Sequence, residues 1–357
     1  METIRQLSTA DQTQQSDVRG ATSFTAYPLA PVQFLREIVE AGKKRMFFEQ
    51  VCYKITAPQG TKDVVIPVKT VMYGSDMQVD TTERVSADVT WTQLDNMDGV
   101  TITPAITLAG VAITNHALMT NSLNLLDQAK EELIYAIADV VDQAIATALK
   151  TSANQSTSTA RGAQIVYGGD ARRESELAAG DTLTTDMIAE AKRKLQSTTN
   201  KYWPDSAGSE ASSSATKNPW LNDPAEPFVL FIAPEQEEVL LTDSQFVNAA
   251  EYGNNEIVLN GEIGKYLGIK IVVANNTPAV AAGGAVLDYS STTVTPAIHR
   301  CIMVKARKCG AIVYGYEPKL TVFDYPSRAQ QRILLETSYQ AKVLYKDAIV
   351  FLDVADA

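Results

Sequence analysis

The chain has 357 residues and a formal net charge of −11 at pH 7, from 31 basic and 42 acidic residues. Hydrophobic residues make up 45% and charged residues 20% of it, which excludes a disordered or fibrous protein and indicates a globular fold of about two domains by length. The acidic balance also argues against a surface built mainly to grip nucleic acid phosphates.

The N-terminal segment, residues 1–23, is polar and rich in Gln, Thr, Ser and Asp. It has little apolar surface to bury, so we expect an arm that orders only against a partner. It lacks the apolar core of a signal peptide, and the other apolar stretches are too short or too charged to span a membrane, so we expect neither export nor a membrane span. Apolar residues at helical spacing from Phe34 to Val39 then predict a short helix.

The pattern changes to alternation between residues 61 and 119, which predicts strands joined in hairpins. Val64, Ile66 and Val68 begin this pattern. Residues 70–98 contain few large apolar side chains and many of Asp, Thr, Gln and Ser. A thin two-stranded excursion of this kind is marginal alone and needs a neighbouring molecule.

Residues 121–150 form the longest helical pattern, which we call the spine helix. Its apolar residues recur at three- and four-residue intervals: Leu126, Leu133, Ile137, Val140, Val141, Ala144 and Ala148. At 1.5 Å per residue its length would be on the order of 40 Å, and Asn121, Ser122 or Asn124 is the candidate N-cap. The acidic residues between the apolar ones, including Asp139 and Asp142, are expected on a solvated face.

A polar linker follows, and the rest of the chain mixes short helices with apolar strands. We predict first a helix from Met187 to Leu195, capped by Thr185 or Asp186, and then a flexible insertion at residues 200–227. A buried strand from Phe228 to Ala233 leads into a helix that starts at Pro234, and another strand runs from Ile269 to Val273. The last five predicted strands are 298–306, 310–317, 319–325, 332–345 and 348–354.

Residue types needed for catalysis are sparse. The two histidines, His116 and His299, occur without a G-x-S-x-G motif, so a Ser-His-Asp triad has little to draw on. The glycine motif at residues 261–264 is too short for a phosphate loop, and Tyr266 stands where Ser or Thr is required. We therefore predict no catalytic and no cofactor-binding residue, no cofactor and no enzyme activity.

The three cysteines, Cys52, Cys301 and Cys309, have no metal-binding spacing. Their odd number fits reduced thiols, and we expect them to be buried. No His/Cys cluster is present in the sequence, so we predict no metal site.

The order of the segments resembles that of the major capsid proteins of tailed viruses (Caudovirales), whose Hong Kong phage-type capsid fold is shared with encapsulin shells. Three stretches carry the resemblance: VAITNHALMTNSLNLLDQAKEELIYAIADVVDQAI at residues 111–145, NGEIGKYLGIKIVVANNTP at 260–278 and RILLETSYQAKVLYKDAIVFLDV at 332–354.

The resemblance implies an α+β fold made of named parts. These are an N-terminal arm at residues 1–23, a short helix and the start of the peripheral domain at 24–60, an extended β-hairpin loop at 61–98, the rest of the peripheral domain with the spine helix at 99–160, an axial domain at 161–297, and return strands at 298–357 that complete both domains. The extended loop would lie over the adjacent subunit. The axial domain would point at a five- or six-fold centre.

The function implied by this resemblance is a capsid protein that self-assembles through pentamers and hexamers into an icosahedral shell around double-stranded DNA. Its expected partners are other copies of itself, a portal, scaffold or decoration proteins, and DNA by weak non-specific contact, with no membrane. The protein would be assembled in the host cytoplasm and reside in the virion. An encapsulin-like shell and a cytoplasmic enzyme of mixed α/β fold are the alternatives.

Two family features have weak counterparts in this sequence. Some members carry a scaffolding segment of about a hundred residues, long enough to be a domain; the arm here is short, so we expect a separate scaffold or none. Other members join Lys to Asn between subunits. Lys62 and Lys69 are the candidate lysines, but no Asn or catalytic acid can be matched, so we predict no cross-links.

Overall fold

We describe the fold from a computed structural model. It describes residues 43, 46–58, 60–69, 97–120, 124–154, 164–171, 176–197, 203–204, 210–211, 218–243, 265–284 and 296–356. The predicted arm, the helix from Phe34 to Val39, the glycine motif at 261–264 and residues 70–96 of the extended loop lie outside this set.

The described chain contains five α-helices and fifteen strands. The α-helices are α1 Phe48–Val51, α2 Asn115–Thr120, α3 Leu125–Asn154, α4 Thr185–Gln196 and α5 Pro234–Thr242. The strands are β1 Tyr53–Thr56, β2 Val64–Lys69, β3 Met97–Ile102, β4 Ala105–Thr114, β5 Gln164–Tyr167, β6 Trp203–Pro204, β7 Glu210–Ala211, β8 Phe228–Ile232, β9 Lys265–Tyr266, β10 Ile269–Val273, β11 Ala279–Val280, β12 Ile298–Lys305, β13 Gly310–Tyr325, β14 Gln330–Val343 and β15 Ile349–Ala355. Pro326–Arg328 and Lys346–Ala348 form 3₁₀ turns.

The spine helix is α3, which has 30 residues and ends four residues later than the sequence predicts. Residues 121–123 lie outside the described chain, so of the three candidate caps only Asn124 is seen, and its side chain bonds to Asp127. A stripe at four-residue steps is buried in the main core: Leu133, Ile137, Val141, Ile145 and Leu149. Val140 is 46% exposed, because it lies beside this stripe and not in it.

One face of the spine helix packs on a four-stranded sheet of order β1-β13-β14-β4. In this sheet β1 is parallel to β13, and the other pairs are antiparallel. The sequence predicts two strands where the structure has the single 16-residue β13. Pro318 lacks an N–H, and the register shift between Tyr316 and Lys319 accommodates it as an irregularity within one strand.

The second sheet has the order β5-β15-β12-β8-β10-β9, with β11 paired to β12. It is covered on both faces. Phe231 packs in the core that contains the spine helix, while Leu230 packs in a second core with Ile188 and Leu195 of α4. All five residues of β8 are therefore buried, as predicted for residues 228–233.

Helix α4 begins one residue earlier than its predicted caps allow. Thr184 is the N-cap, and its side-chain oxygen accepts a hydrogen bond from the Met187 backbone N–H. Thr185 and Asp186 are already helical. Thr184 has the extended backbone that an N-cap requires.

Candidate assembly surfaces

One face of the four-stranded sheet packs on the spine helix. The other face is covered at one end, where Ala311 and Val313 pack against Ile66 of β2 and Ile102 of β3, and in the described chain it is exposed along β4. Strand register places Leu335 and Ala109 on the face that packs on the spine helix. The opposite face carries Ile106 and Leu108 of β4, which are 68% and 60% exposed. We call this side the outer sheet face, formed by Ile106, Leu108, Leu334 and Phe323. Leu334 pairs with Gly110 on one side and Thr321 on the other, so the face runs across three strands.

The outer sheet face continues to the tip of the β13–β14 hairpin. Here the guanidinium of Arg332 stacks 3.9 Å from the ring centre of Tyr325. At the same tip, Met119 of helix α2 is 85% exposed and lines a shallow groove with Leu118 and Pro326; Gln331, which also lines it, belongs to the face that packs on the spine helix. A large exposed apolar surface of this kind is typical of a protein–protein contact.

Strands β2 and β3, which would form the root of the predicted extended loop, are held by two side chains of the C-terminal segment. Strands β2 and β3 pair antiparallel, from Val64 opposite Ile102 to Lys69 opposite Met97. The Tyr345 hydroxyl accepts a hydrogen bond from the Lys69 N–H and donates one to the Lys69 carbonyl, both at 3.0 Å. Lys342 Nζ donates to the Thr101 carbonyl at 2.7 Å. The C-terminal segment therefore anchors both strands of the root.

A buried carboxylate joins the spine helix to two distant segments. Asp142 is 1% exposed, contrary to the predicted solvated position. It accepts hydrogen bonds from the Phe48 N–H at 2.9 Å and from Asn276 Nδ2 at 3.0 Å. Burial raises the pKa of Asp142 above its ordinary value, although these hydrogen bonds act to lower it. Its position next to residues 47–49 and 276 is a feature of tertiary structure, so helical periodicity alone cannot detect it.

The candidate cross-linking lysines lie near the loop root. Lys62 is exposed just before β2, and Lys69 is the exposed last residue of the same strand. Lys69 makes both of its hydrogen bonds to Tyr345 through its backbone. Their positions leave the prediction about cross-links untested.

The two histidines lie in different elements of the fold. His116 lies in α2, whereas His299 in β12 contacts Asp356 through Nδ1 and lies 3.8 Å from Glu235. Across the described ranges no group of three or more His, Cys, Asp or Glu residues is placed to hold a metal ion. No described helix is long and apolar enough to cross a membrane.

All three cysteines are buried, as predicted. A buried ion pair lies in the second sheet, where Arg300 and Asp353 face each other across β12 and β15 with Nε–Oδ1 2.6 Å and Nη2–Oδ2 2.5 Å. Both side chains are fully buried. A bidentate pair of this kind is best explained as part of the core.

Comparison with known proteins identifies a family that matches the sequence. The sequence matches the family described as phage capsid protein over residues 77–317, more than half of the chain. No curated protein matches it.

Several solved capsid structures share the fold. The Cyanophage Pam1 capsid is 15% identical with a TM-score of 0.66, and the match covers 94% of this chain and 100% of that one. The capsid of Cyanophage P-SCSP1u is 17% identical with a TM-score of 0.65, covering 92% and 94%. The capsid of Ralstonia phage GP4 is 15% identical with a TM-score of 0.62, covering 94% and 98%.

These matches confirm the expected α+β fold and make the protein a structural one, not the enzyme considered as an alternative. They give the encapsulin alternative no better support. A capsid protein associates with copies of itself and belongs to the virion. The chain therefore belongs to the phage capsid protein family, as a major capsid protein with the Hong Kong phage-type capsid fold.

Proposed function

We propose that the protein assembles through pentamers and hexamers into an icosahedral shell around double-stranded DNA, and that the outer sheet face of each subunit receives the extended loop of its neighbour. The observation that carries this proposal is the apolar face of β4, β14 and β13, which the described part of the subunit leaves uncovered. Fully burying a side chain such as Ile106 or Leu108 stabilises an interface by about 1.5–3 kcal/mol.

Charge supports the same pairing. The loop residues 70–96 contain five acidic residues, Asp76, Asp80, Glu83, Asp88 and Asp95, and the single base Arg84. The outer sheet face carries two bases, Lys319 and Arg332, against one acid, Glu336, which lies opposite Lys319 and Leu108. An acidic loop is therefore attracted to this face, and complementary charge selects the correct partner and register.

The two sheets correspond to the two proposed domains. The spine helix and the four-stranded sheet form the peripheral domain, and the six-strand path with β11 forms the axial domain, which points at the five- or six-fold centre. Strands β12 and β15 come from residues 298–357 and lie within the axial sheet. The boundaries proposed from the sequence thus give both domains a share of the C-terminal segment.

The exposed side of the spine helix is proposed to face the packaged DNA. It carries Glu131 and Glu132 as well as Lys130, which pairs with Asp127 at 2.8 Å. A lining of such mixed charges neither grips nor strongly repels DNA, which suits a container. The proposal also includes a portal and a separate scaffold or decoration protein as partners, and assembly in the host cytoplasm.

The substitution Ile106→Asp tests the interface. It places a charge in the centre of the outer sheet face, and we expect folded subunits that no longer form shells. The matched control is Leu241→Asp, at a residue of α5 that is 50% exposed and distant from this sheet in the chain. Negative-stain electron microscopy and sedimentation measure assembly, and circular dichroism measures folding. Shells of normal size from Ile106→Asp would contradict the proposed contact.

The contents of the particles test the rest of the function. Particles purified from infected cells should contain double-stranded DNA that resists added nuclease. A co-purifying enzyme in DNA-free particles would favour an encapsulin-like shell instead. A wild-type protein that stays a small oligomer under all assembly conditions would overturn the shell itself.

A further inference from the structure

Two of the three cysteines lie at the same end of one strand pair. Cys52 directly precedes β1, and Cys309 directly precedes β13. These strands are parallel neighbours, with Tyr53 opposite Ala311. Both thiols are free and buried, in the core that contains the spine helix.

The pairing of β1 with β13 brings the two thiols close together. The Cys309 sulfur lies 3.9 Å from the carbonyl oxygen of Val51, the residue before Cys52. A Cβ built on Gly310, the residue after Cys309, would lie 3.7 Å from the Cys52 sulfur. A hydrogen bond with the Cys309 thiol and burial together raise the pKa of Cys52 well above its ordinary value. The register extends to Cys52 opposite Gly310, so Cys309 lies one residue along the neighbouring strand. A strand spacing of about 4.8 Å and a rise of about 3.3 Å per residue give a Cα separation of roughly 6 Å, within the roughly 4.4–6.8 Å that a disulfide requires.

We propose that Cys52 and Cys309 form a redox pair that closes to an intramolecular disulfide when the protein meets a peroxide. In the first step one thiolate attacks the peroxide, the O–O bond breaks, and a sulfenic acid and one water form. In the second step the other sulfur displaces the hydroxyl of the sulfenic acid as a second water. Two S–H bonds are replaced by one S–S bond, and hydrogen peroxide is reduced to two waters.

The position of β1 explains how the oxidant reaches a buried pair. Strand β1 has four residues and lies at the edge of its sheet, so its local opening costs less than global unfolding. The thiolate is the reactive form, so the raised pKa of Cys52 makes closure slow at neutral pH and faster in alkali. Once closed, the bond ties β1 to β13 and restricts that opening.

Cys301 is the internal control. It is equally buried, and burial is the main cause that raises its pKa to about 12. It lies in β12 opposite Leu352 and packs in the other core, apart from Cys52 and Cys309. If burial alone decided reactivity, all three thiols would respond to peroxide alike. The proposed pair predicts instead that Cys52 and Cys309 are oxidised and that Cys301 stays a thiol.

The experiment incubates the folded wild-type protein with hydrogen peroxide at neutral and at alkaline pH, blocks free thiols with N-ethylmaleimide, and maps peptides by mass spectrometry. We expect a Cys52–Cys309 cross-linked peptide that dithiothreitol removes and that forms faster in alkali, with Cys301 blocked as a thiol. The oxidised protein should unfold at a higher urea concentration than the reduced one.

Three results would contradict the proposal. Both thiols could still react with N-ethylmaleimide after prolonged oxidation, or the disulfide could involve Cys301 or a second chain. The Cys52–Cys309 disulfide could also form as fast in urea-unfolded protein as in folded protein. Cys301→Ser should retain the cross-link and Cys309→Ser should lose it. Because the readout is chemical and made on the wild-type chain, it does not depend on shell assembly.

Discussion

Replacing Asp142 by Asn tests the junction between the spine helix, the start of α1 and the turn at Asn276. The carboxylate accepts hydrogen bonds from two donors, the Phe48 N–H and Asn276 Nδ2. An amide keeps one acceptor oxygen and turns an NH₂ group toward the other donor. Each hydrogen bond to a charged group contributes about 1.5–3 kcal/mol, and relief of the buried charge offsets part of the loss. We expect the free energy of unfolding to fall by about 1–3 kcal/mol.

The pH dependence of this loss has a defined sign. Burial raises the folded-state pKa of Asp142 above its unfolded value. The group therefore contributes stability that is fully present below the unfolded pKa and is lost as the pH rises through the folded pKa. The difference in stability between wild type and Asp142→Asn should thus be larger in acid than at neutral pH.

Urea unfolding of unassembled subunits, followed by tryptophan fluorescence at both pH values, measures the two effects. Asp139→Asn is the matched control, because Asp139 also contacts Asn276 but is only half-buried. It should cost less than about 1 kcal/mol. If the two variants were equally stable, or if the difference shrank in acid, the assigned role of Asp142 would be wrong.

Three further predictions concern the cap, the loop root and the candidate cross-link. Thr184→Ala removes the N-cap of α4 and should lower the free energy of unfolding by about 1 kcal/mol in urea titrations, while Thr184→Ser should restore most of it. Tyr345→Phe keeps the ring contact with Trp220 but loses both hydrogen bonds to Lys69, so microscopy should find shells of more varied size; a normal size distribution would refute this role. Particles boiled in detergent should run as a single 38.7 kDa band, and ladders above it would implicate Lys62 or Lys69 in cross-links.

Elements with strong local signals were predictable from the sequence. The apolar run before Pro234 predicts β8 and the start of α5, and the strand from Ile269 to Val273 has the predicted bounds. Positions that depend on distant residues were not. Pro318 marks a strand break in the sequence, yet pairing along β14 keeps β13 continuous through it.

The candidate site was partly visible in the sequence. Strand β4, AITLAGVAIT, is apolar on both faces, although only one of them packs on the spine helix. A strand that is apolar on both sides is expected to be covered on both sides. That signal was available, but the sequence alone does not tell whether the second cover belongs to the same subunit. Asp142 gave no such signal, because its partners come from segments far away in the chain.

The position of β15 has a consequence for the timing of folding. This strand lies between β5 and β12, and β5 pairs with β15 alone among the described strands. Residues 349–355 are synthesised after every other strand of that sheet. A nascent subunit therefore cannot close its second sheet on the ribosome until this segment has emerged. A chain that ends before residues 349–355 cannot complete the core of the second sheet. The late position of β15 therefore makes assembly depend on a fully synthesised subunit.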